Sequence, residues 1–299
     1  MDNKTILITG ASGLLGSYLC RTALEKGFSV IGMYNSVKPN LKGVNLVKCD
    51  ITNVTELENV LKIFSPSLVI HTAALTVVDY CEENLEEAFK VNTEATINIS
   101  EICKKIGAVL YYMSTTGIFD GKKSFYKESD LPNPLNIYSK SKLLAEKTVL
   151  KNSGVVIRTS VVYGWNSSLS KRKNLALWVM DELSANKKIN VFTDLISTPI
   201  YAGTLAEVIL KIYNKNARGV FNVCCSSSVS REEFARTVCD VFGFDKELLN
   251  PVLYKSVFSK VKRPFNDSAD IGKVEHLLGI KMPTLRDDLE KMKEDSSHL

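Results

Sequence analysis

The strand-length apolar run at 5–9 passes directly into Gly10-Ala-Ser-Gly13-Leu-Leu-Gly16, and Leu14, Leu15, Tyr18, Leu19 and Ala23 then recur with helical period. Strand, glycine turn and helix in that order leave few folds open. Glycines at this spacing serve a tight turn, close approach of backbone to a pyrophosphate, and close packing of helix on strand. The helix start offers free N–H groups and the positive end of its dipole to an anion. A merely structural turn is the plainer alternative. The strand before and the helix after favour a dinucleotide site, with Gly10, Ser12, Gly13, Leu14, Leu15 and Gly16 against the phosphates.

The same rhythm continues along the chain. Strand-like runs at 29–33, 45–49, 68–71, 109–113 and 155–159 alternate with helix-period segments at 14–26, 54–64, 85–105 and 138–150. Parallel neighbours need a long crossover, so this alternation predicts an α/β fold: a doubly wound, Rossmann-like parallel sheet over residues 1–163. Residues 164–299 read as a smaller, partly discontinuous C-terminal substrate lobe. It would hold helices at 175–185 and 204–214 and strands at 189–192 and 220–223, the stretch of about 204–224 returning to the first domain. Ser230-Arg-Glu-Glu233 is a capping-box signature that opens a helix, and Gly243 is its stop.

Composition narrows the partners. With 299 residues, 45% of them hydrophobic, the chain can bury its cores without disulfide or metal staples. A net charge of +5 over this length is a mild bias that suits a small anion and leaves no nucleic-acid footprint. The run Lys171-Arg172-Lys173 reads as a solvated loop, with a phosphate contact as the sharper alternative. Seven cysteines, an odd number with no CxxC pair, point to reduced thiols, and Cys224-Cys225 beside Phe221 and Val223 to a buried strand end. His71, His276 and His298 lie far apart, and no metal site is expected. The start is too short for a signal sequence and no apolar run approaches about 18 residues, so a cytoplasmic protein without a membrane span is expected. A homodimer stays open.

The second strand runs into Tyr34-Asn35-Ser36-Val37-Lys38 with no carboxylate. A carboxylate there would bind a ribose 2′-OH and repel a 2′-phosphate. Asn35, Ser36 and Lys38 instead favour NADP(H), with NAD(H) the alternative. Asp50 and Ile51 follow the third strand, where the adenine would lie. Ala73, Ala74 and Leu75 follow the fourth, where small residues let a cofactor pass close to backbone.

Tyr138 and Lys142 stand at i and i+4, on one face of a helix. A nearby cation favours phenolate, so the tyrosine can exchange a proton with a substrate oxygen. YxxxK alone is a common pattern, and Tyr34 to Lys38 repeats it, but Pro39 ends that copy at once. The fifth strand ends in Ser114-Thr115, at the sheet edge where ligands bind, and a hydroxyl there could bond the same substrate oxygen.

Together these residues resemble the extended short-chain dehydrogenase/reductase superfamily, and within it the dTDP-4-dehydrorhamnose reductases. The likeness spans essentially the whole chain: Gly10 to Gly16, His71-Thr-Ala-Ala-Leu-Thr-Val-Val-Asp79 with Glu82, Val91-Asn92, Ser114-Thr115 with Phe119-Asp120-Gly121, Tyr138 with Lys142, Arg158-Thr-Ser160 with Tyr163-Gly164, and Arg263-Pro264. The resemblance implies NAD(P)H-dependent reduction of a nucleotide-linked 4-keto-6-deoxy sugar. It makes Tyr138 the proton donor, Lys142 the residue that holds the nicotinamide ribose and tunes the tyrosine, and Thr115 the hydroxyl that orients the carbonyl. Thr116-Gly117 stands where the family usually has Asp-Tyr, Val161 where it has tryptophan and Ile200 where it has threonine, all on the substrate side. A nucleotide-sugar epimerase or dehydratase is one alternative. Another is a non-catalytic cofactor-binding subunit resembling the methionine adenosyltransferase beta subunit, which shares a Gly-Leu-Leu-Gly loop like that of Gly13 to Gly16.

Overall fold

The computed structural model describes residues 4–166, 173–254 and 261–296; Lys171, Arg172 and His298 lie outside the described residues. The first half runs β1 (Thr5–Thr9), α1 (Leu14–Glu25), β2 (Ser29–Tyr34), β3 (Asn45–Lys48), α2 (Val54–Phe64), β4 (Leu68–His71), α3 (Val78–Glu83), α4 (Leu85–Phe89), α5 (Ala95–Ile106), β5 (Val109–Thr115), α6 (Ile137–Lys151) and β6 (Val155–Thr159). The second half adds β7 (Val162–Tyr163), α7 (Leu175–Ser184), β8 (Ile189–Phe192), β9 (Ile196–Ser197), β10 (Ile200–Tyr201), α8 (Ala202–Asn214), β11 (Gly219–Asn222), β12 (Val229–Ser230), α9 (Arg231–Phe242), β13 (Leu249–Val252), α10 (Gly272–Leu278) and α11 (Leu285–Asp295). No helix among the described residues is long and apolar enough to cross a membrane.

Seven strands form one sheet in the order β11-β6-β5-β4-β1-β2-β3, every neighbouring pair parallel. Both of its faces are covered, and the period of two along each strand divides the side chains between them. Ile6 and Ile8 of β1 join the core on the side of α1 and α8, while Leu7 joins the core of α2, α5 and α6. Tyr111 and Met113 of β5 likewise part from Leu110 and Tyr112. The fold is the expected doubly wound, Rossmann-like sheet. Segment 204–224 contributes most of α8, which packs on α1, and then the edge strand β11 beside β6.

Local signals explain several boundaries. Ser230 and Glu233 exchange both bonds of a capping box, and α9 stops at Gly243 in the left-handed region at φ 80°. The long helix expected over 85–105 is interrupted: α4 passes through a π turn at Lys90–Glu94 before α5 begins. All seven cysteines are buried thiols outside any disulfide.

Candidate active site

The strand order reverses between β1 and β4, and a crevice of about 910 Å³ opens outside the carboxyl ends of the strands at that point. Backbone shapes its first wall. Gly10 adopts φ +68°, and a Cβ there would stand 2.9 Å from the Ala73 nitrogen, so the turn after β1 touches the loop after β4. A Cβ on Gly16 would lie 2.1 Å from the Gly10 carbonyl oxygen; only glycine lets α1 settle on the turn. Gly13 caps α1 without a side-chain bond and the first turn holds no acid, so the donors at this helix start remain open to an anion.

A directed chain of hydrogen bonds fixes the loop opposite. The Thr9 hydroxyl accepts from the backbone N–H of Thr72 and of Ala73, each at 3.2 Å, so its own proton goes to Nδ1 of His71 at 2.7 Å. Nε2 of His71 then donates to Thr96 Oγ1 at 3.0 Å, and Thr96 donates to the Asn92 carbonyl at 2.8 Å. Burial lowers the His71 pKa to about 3, which keeps the ring neutral, as this relay requires. Asn92, inside the π turn, grips Leu75 twice: its Oδ1 accepts from Leu75 N at 2.9 Å and its Nδ2 donates to Leu75 O at 3.0 Å. Ala73, Ala74 and Leu75 thereby form a fixed wall, and Asn35, Ser36, Asp50 and Ile51 extend it past β2 and β3. Lys38 is not among the lining residues.

The catalytic candidates enter from β5 and α6. Asn136 caps α6 by accepting from Ser139 N at 2.9 Å, and one face of the helix then carries Tyr138, Lys142 and Glu146. Lys142 is only 3% exposed, its Nζ stands 4.3 Å from the centre of the Tyr112 ring, and it donates no hydrogen bond to any described residue. Burial lowers its pKa to about 7 against the upward pull of Glu146. Tyr138, Lys142 and Thr115 line the same crevice as Gly10, Ser12, Gly13, Leu14, Leu15 and Gly16.

Alternation along β5 separates the two strand-end hydroxyls. Ser114 follows Leu110 and Tyr112 toward α6, where its hydroxyl donates to Glu146 Oε1 at 2.5 Å. Arg158 clamps the same carboxylate through Nε at 3.1 Å and Nη2 at 2.7 Å, and all three residues are buried. Ser114 is thus held in an ion-pair network, although it borders the crevice. Thr115 Oγ1 accepts from Gly117 N at 3.0 Å, which leaves its proton for a ligand. Of the two sequence candidates, Thr115 has the available donor.

The far wall was largely silent in the sequence. Arg231 and Arg263 bring two cations to it. Arg231 is held by a bond from Nη1 to Ser197 Oγ at 2.6 Å; Arg263 is held by Tyr254 Oη at 3.0 Å and Asp79 at 2.7 Å. Lys173, the described end of the basic run, also reaches the crevice and pairs with Asp181 at 2.6 Å. Val161 lies on this wall at φ +42°, a conformation costly for a β-branched residue. Arg263-Pro264 was visible as a motif, and Arg231 lay inside the capping box, where its neighbours signalled only a helix start. Asp267 gave no signal.

Comparisons with known proteins agree with this architecture. The family model described as the RmlD substrate binding domain matches residues 4–297. The chain is 35% identical over 285 residues to the probable low-salt glycan biosynthesis reductase Agl14 of Haloferax volcanii, covering 94% of this chain and 95% of that protein. It is 29% identical over 294 residues to methionine adenosyltransferase 2 subunit beta of Bos taurus, covering 95% of this chain and 85% of that one. A dTDP-4-dehydrorhamnose reductase from Bacillus anthracis, solved in complex with NADP, superposes with a TM-score of 0.87 at 26% identity, covering 98% of this chain and 99% of its own. Glycine turn, tyrosine–lysine face and arginine wall therefore sit on a frame shared along nearly the full length, and the chain belongs to the RmlD substrate-binding-domain family.

Proposed function

We propose that this protein is an NADPH-dependent reductase of a nucleotide-linked 4-keto-6-deoxy sugar, similar to the dTDP-4-dehydrorhamnose reductases. One observation carries this reading: Tyr138, Lys142 and Thr115 converge on the crevice that the glycine turn opens. The chain fits a nicotinamide dinucleotide. Lys142 Nζ is a buried donor set without an acceptor among the described residues, the start of α1 has no side-chain cap, and no carboxylate follows β2. Gly10 to Gly16 would hold the pyrophosphate, Asn35 and Ser36 the 2′-phosphate, Asp50 and Ile51 the adenine side, and Lys142 the nicotinamide ribose. Once bound, the cofactor supplies the hydride to the carbonyl carbon.

The protein's part is proton transfer and charge. Thr115 donates a hydrogen bond to the carbonyl oxygen and orients it. Tyr138 gives that oxygen its phenolic proton as negative charge develops there, completing the alcohol. Lys142 stabilises the phenolate left behind. Arg231 and Arg263 suit the diphosphate of a nucleotide sugar.

The test is loss of NADPH absorbance, and separately of NADH, with a dTDP-4-keto-6-deoxy sugar. One cofactor consumed per alcohol formed supports the reading, with NADPH the faster. Product without net cofactor consumption points to an epimerase or dehydratase, a reading weakened by the lack of a carboxylate after β2 and, for a dehydratase, by Thr116-Gly117, which offers no acidic pair after Thr115.

A second reading rests on the 29% identity to methionine adenosyltransferase 2 subunit beta and on the altered substrate-side residues. A regulatory subunit would bind cofactor tightly, copurify with a stable protein partner and turn over no nucleotide sugar.

A further inference from the structure

Asp267 brings to the crevice a carboxylate that the proposed proton transfer does not use. Its backbone is pinned: Asp267 N donates to the Ile196 carbonyl at 3.1 Å, beside a bridge between Ile196 and Asn266. Its side chain is gripped by one oxygen. Thr116 Oγ1 donates to Oδ2 at 2.8 Å and Ser160 Oγ donates to the same Oδ2 at 3.0 Å. These two donors are the residues just past Thr115 and Thr159, which face each other in the β5–β6 register. The carboxylate therefore spans the ends of both strands, bonded to the residue that follows the threonine assigned to the carbonyl.

Oδ1 accepts no hydrogen bond from the side chain or backbone of any other described residue. Arg231 stands on the same wall and favours the charged form through space, but the two form no ion pair within 4.0 Å, and Arg231 donates to Ser197 instead. Burial opposes ionisation, while Arg231, Thr116, Ser160 and the residue's own backbone N–H support it. A charge held by two hydroxyls through one oxygen, while the other accepts from no other described residue, is arranged to receive a donor from a ligand.

We propose that Asp267 is a specificity-determining residue whose Oδ1 accepts a hydrogen bond from a ring hydroxyl of the sugar, close to the carbon reduced. The inference rests on the nucleotide-sugar reading and extends it to the sugar itself. Aspartate here selects substrates that present a hydroxyl at this place and disfavours deoxy analogues, because a desolvated carboxylate oxygen without a donor is costly.

Asp267→Asn is the informative change. With two hydroxyls donating into the Oδ2 position, the amide oxygen takes that place and the NH₂ turns to the ligand, replacing a charged acceptor by a donor. We expect binding of dTDP-rhamnose, followed by calorimetry, to weaken about 10-fold or more, while dTDP alone stays within about 2-fold. Ser160→Ala, which frees the carboxylate to swing, should weaken dTDP-rhamnose by a smaller factor and also spare dTDP; it serves if the asparagine variant does not fold. Equal losses for both ligands, or none for either, overturn the proposal, as does a wild-type protein that binds neither. A wild-type protein that binds dTDP-rhamnose through Asp267 yet never oxidises NADPH would retain the proposal and discard the reductase.

Discussion

The two halves of the crevice are built on opposite plans. The proposed cofactor half is made of backbone: a glycine turn closed to a Cβ at Gly10 and Gly16, a helix start without a side-chain cap, and a loop pinned through Thr9, His71 and Asn92. The proposed substrate half is made of side chains: Arg231 from the start of α9, and Arg263 and Asp267 from the segment that precedes α10, none of them on a strand of the seven-stranded sheet. Backbone recognises what cofactors share, while charged side chains can be exchanged one at a time without disturbing the sheet. The first half is therefore suited to constancy and the second to a change of substrate.

That contrast can be broken most sharply where the halves meet. Tyr138→Phe removes the transferable proton and should lower turnover by about 10²–10⁴-fold while NADPH affinity, measured by fluorescence titration, holds; full activity would remove the tyrosine from the chemistry. Gly16→Ala forces a Cβ against the Gly10 carbonyl. It should lower stability by about 1–3 kcal/mol and weaken NADPH binding at least about 10-fold, with little effect on dTDP binding. Arg231→Met should do the reverse, raising KM for the nucleotide sugar by about 10-fold with cofactor affinity unchanged. A parallel loss of both affinities would show that the halves are not independent.

Two smaller effects concern strain and burial. Folding holds the Lys142 pKa near about 7 against an ordinary value of 10.5, so between those values the unfolded chain binds more protons and stability of the cofactor-free protein rises with pH. This contribution is fully present only above the unfolded value and is lost as pH falls toward about 7. Denaturant melts across that window should show a slope of up to about 1.4 kcal/mol per pH unit that flattens in Lys142→Met. Val161→Gly relieves a left-handed valine and should change stability by less than about 1 kcal/mol, whereas a well-placed valine would lose more. A loss of several kcal/mol would mean that the valine side chain, and not its backbone, shapes the wall.

Legibility in the sequence follows the same division. The sheet and the glycine turn could be read because each strand and each turn is specified within a few neighbouring residues. Tyr138 and Lys142 could be read as partners because one helix carries both. Ser114 and Thr115 could not be told apart, since period two separates their faces without saying which face α6 covers. The break at Lys90–Glu94 was hidden for a related reason: the apolar period runs through it, and the tertiary bonds of Asn92 to Leu75 accompany the π turn. Asp267 owes its place to Thr116 and Ser160, which lie far from it in sequence, and no local pattern announces such a meeting.

Strand β11 pairs with β6 only after the chain has travelled through β7 to β10 and α8. On the ribosome, β6 is consequently a naked edge, with its ladder of amides unanswered, until residue 222 has emerged. A nascent chain halted at the end of the first Rossmann half would be adhesive, open to chaperones or to another unfinished copy. Grafting a foreign second half onto this one would have to supply not just a new pocket but the missing rib that seals it.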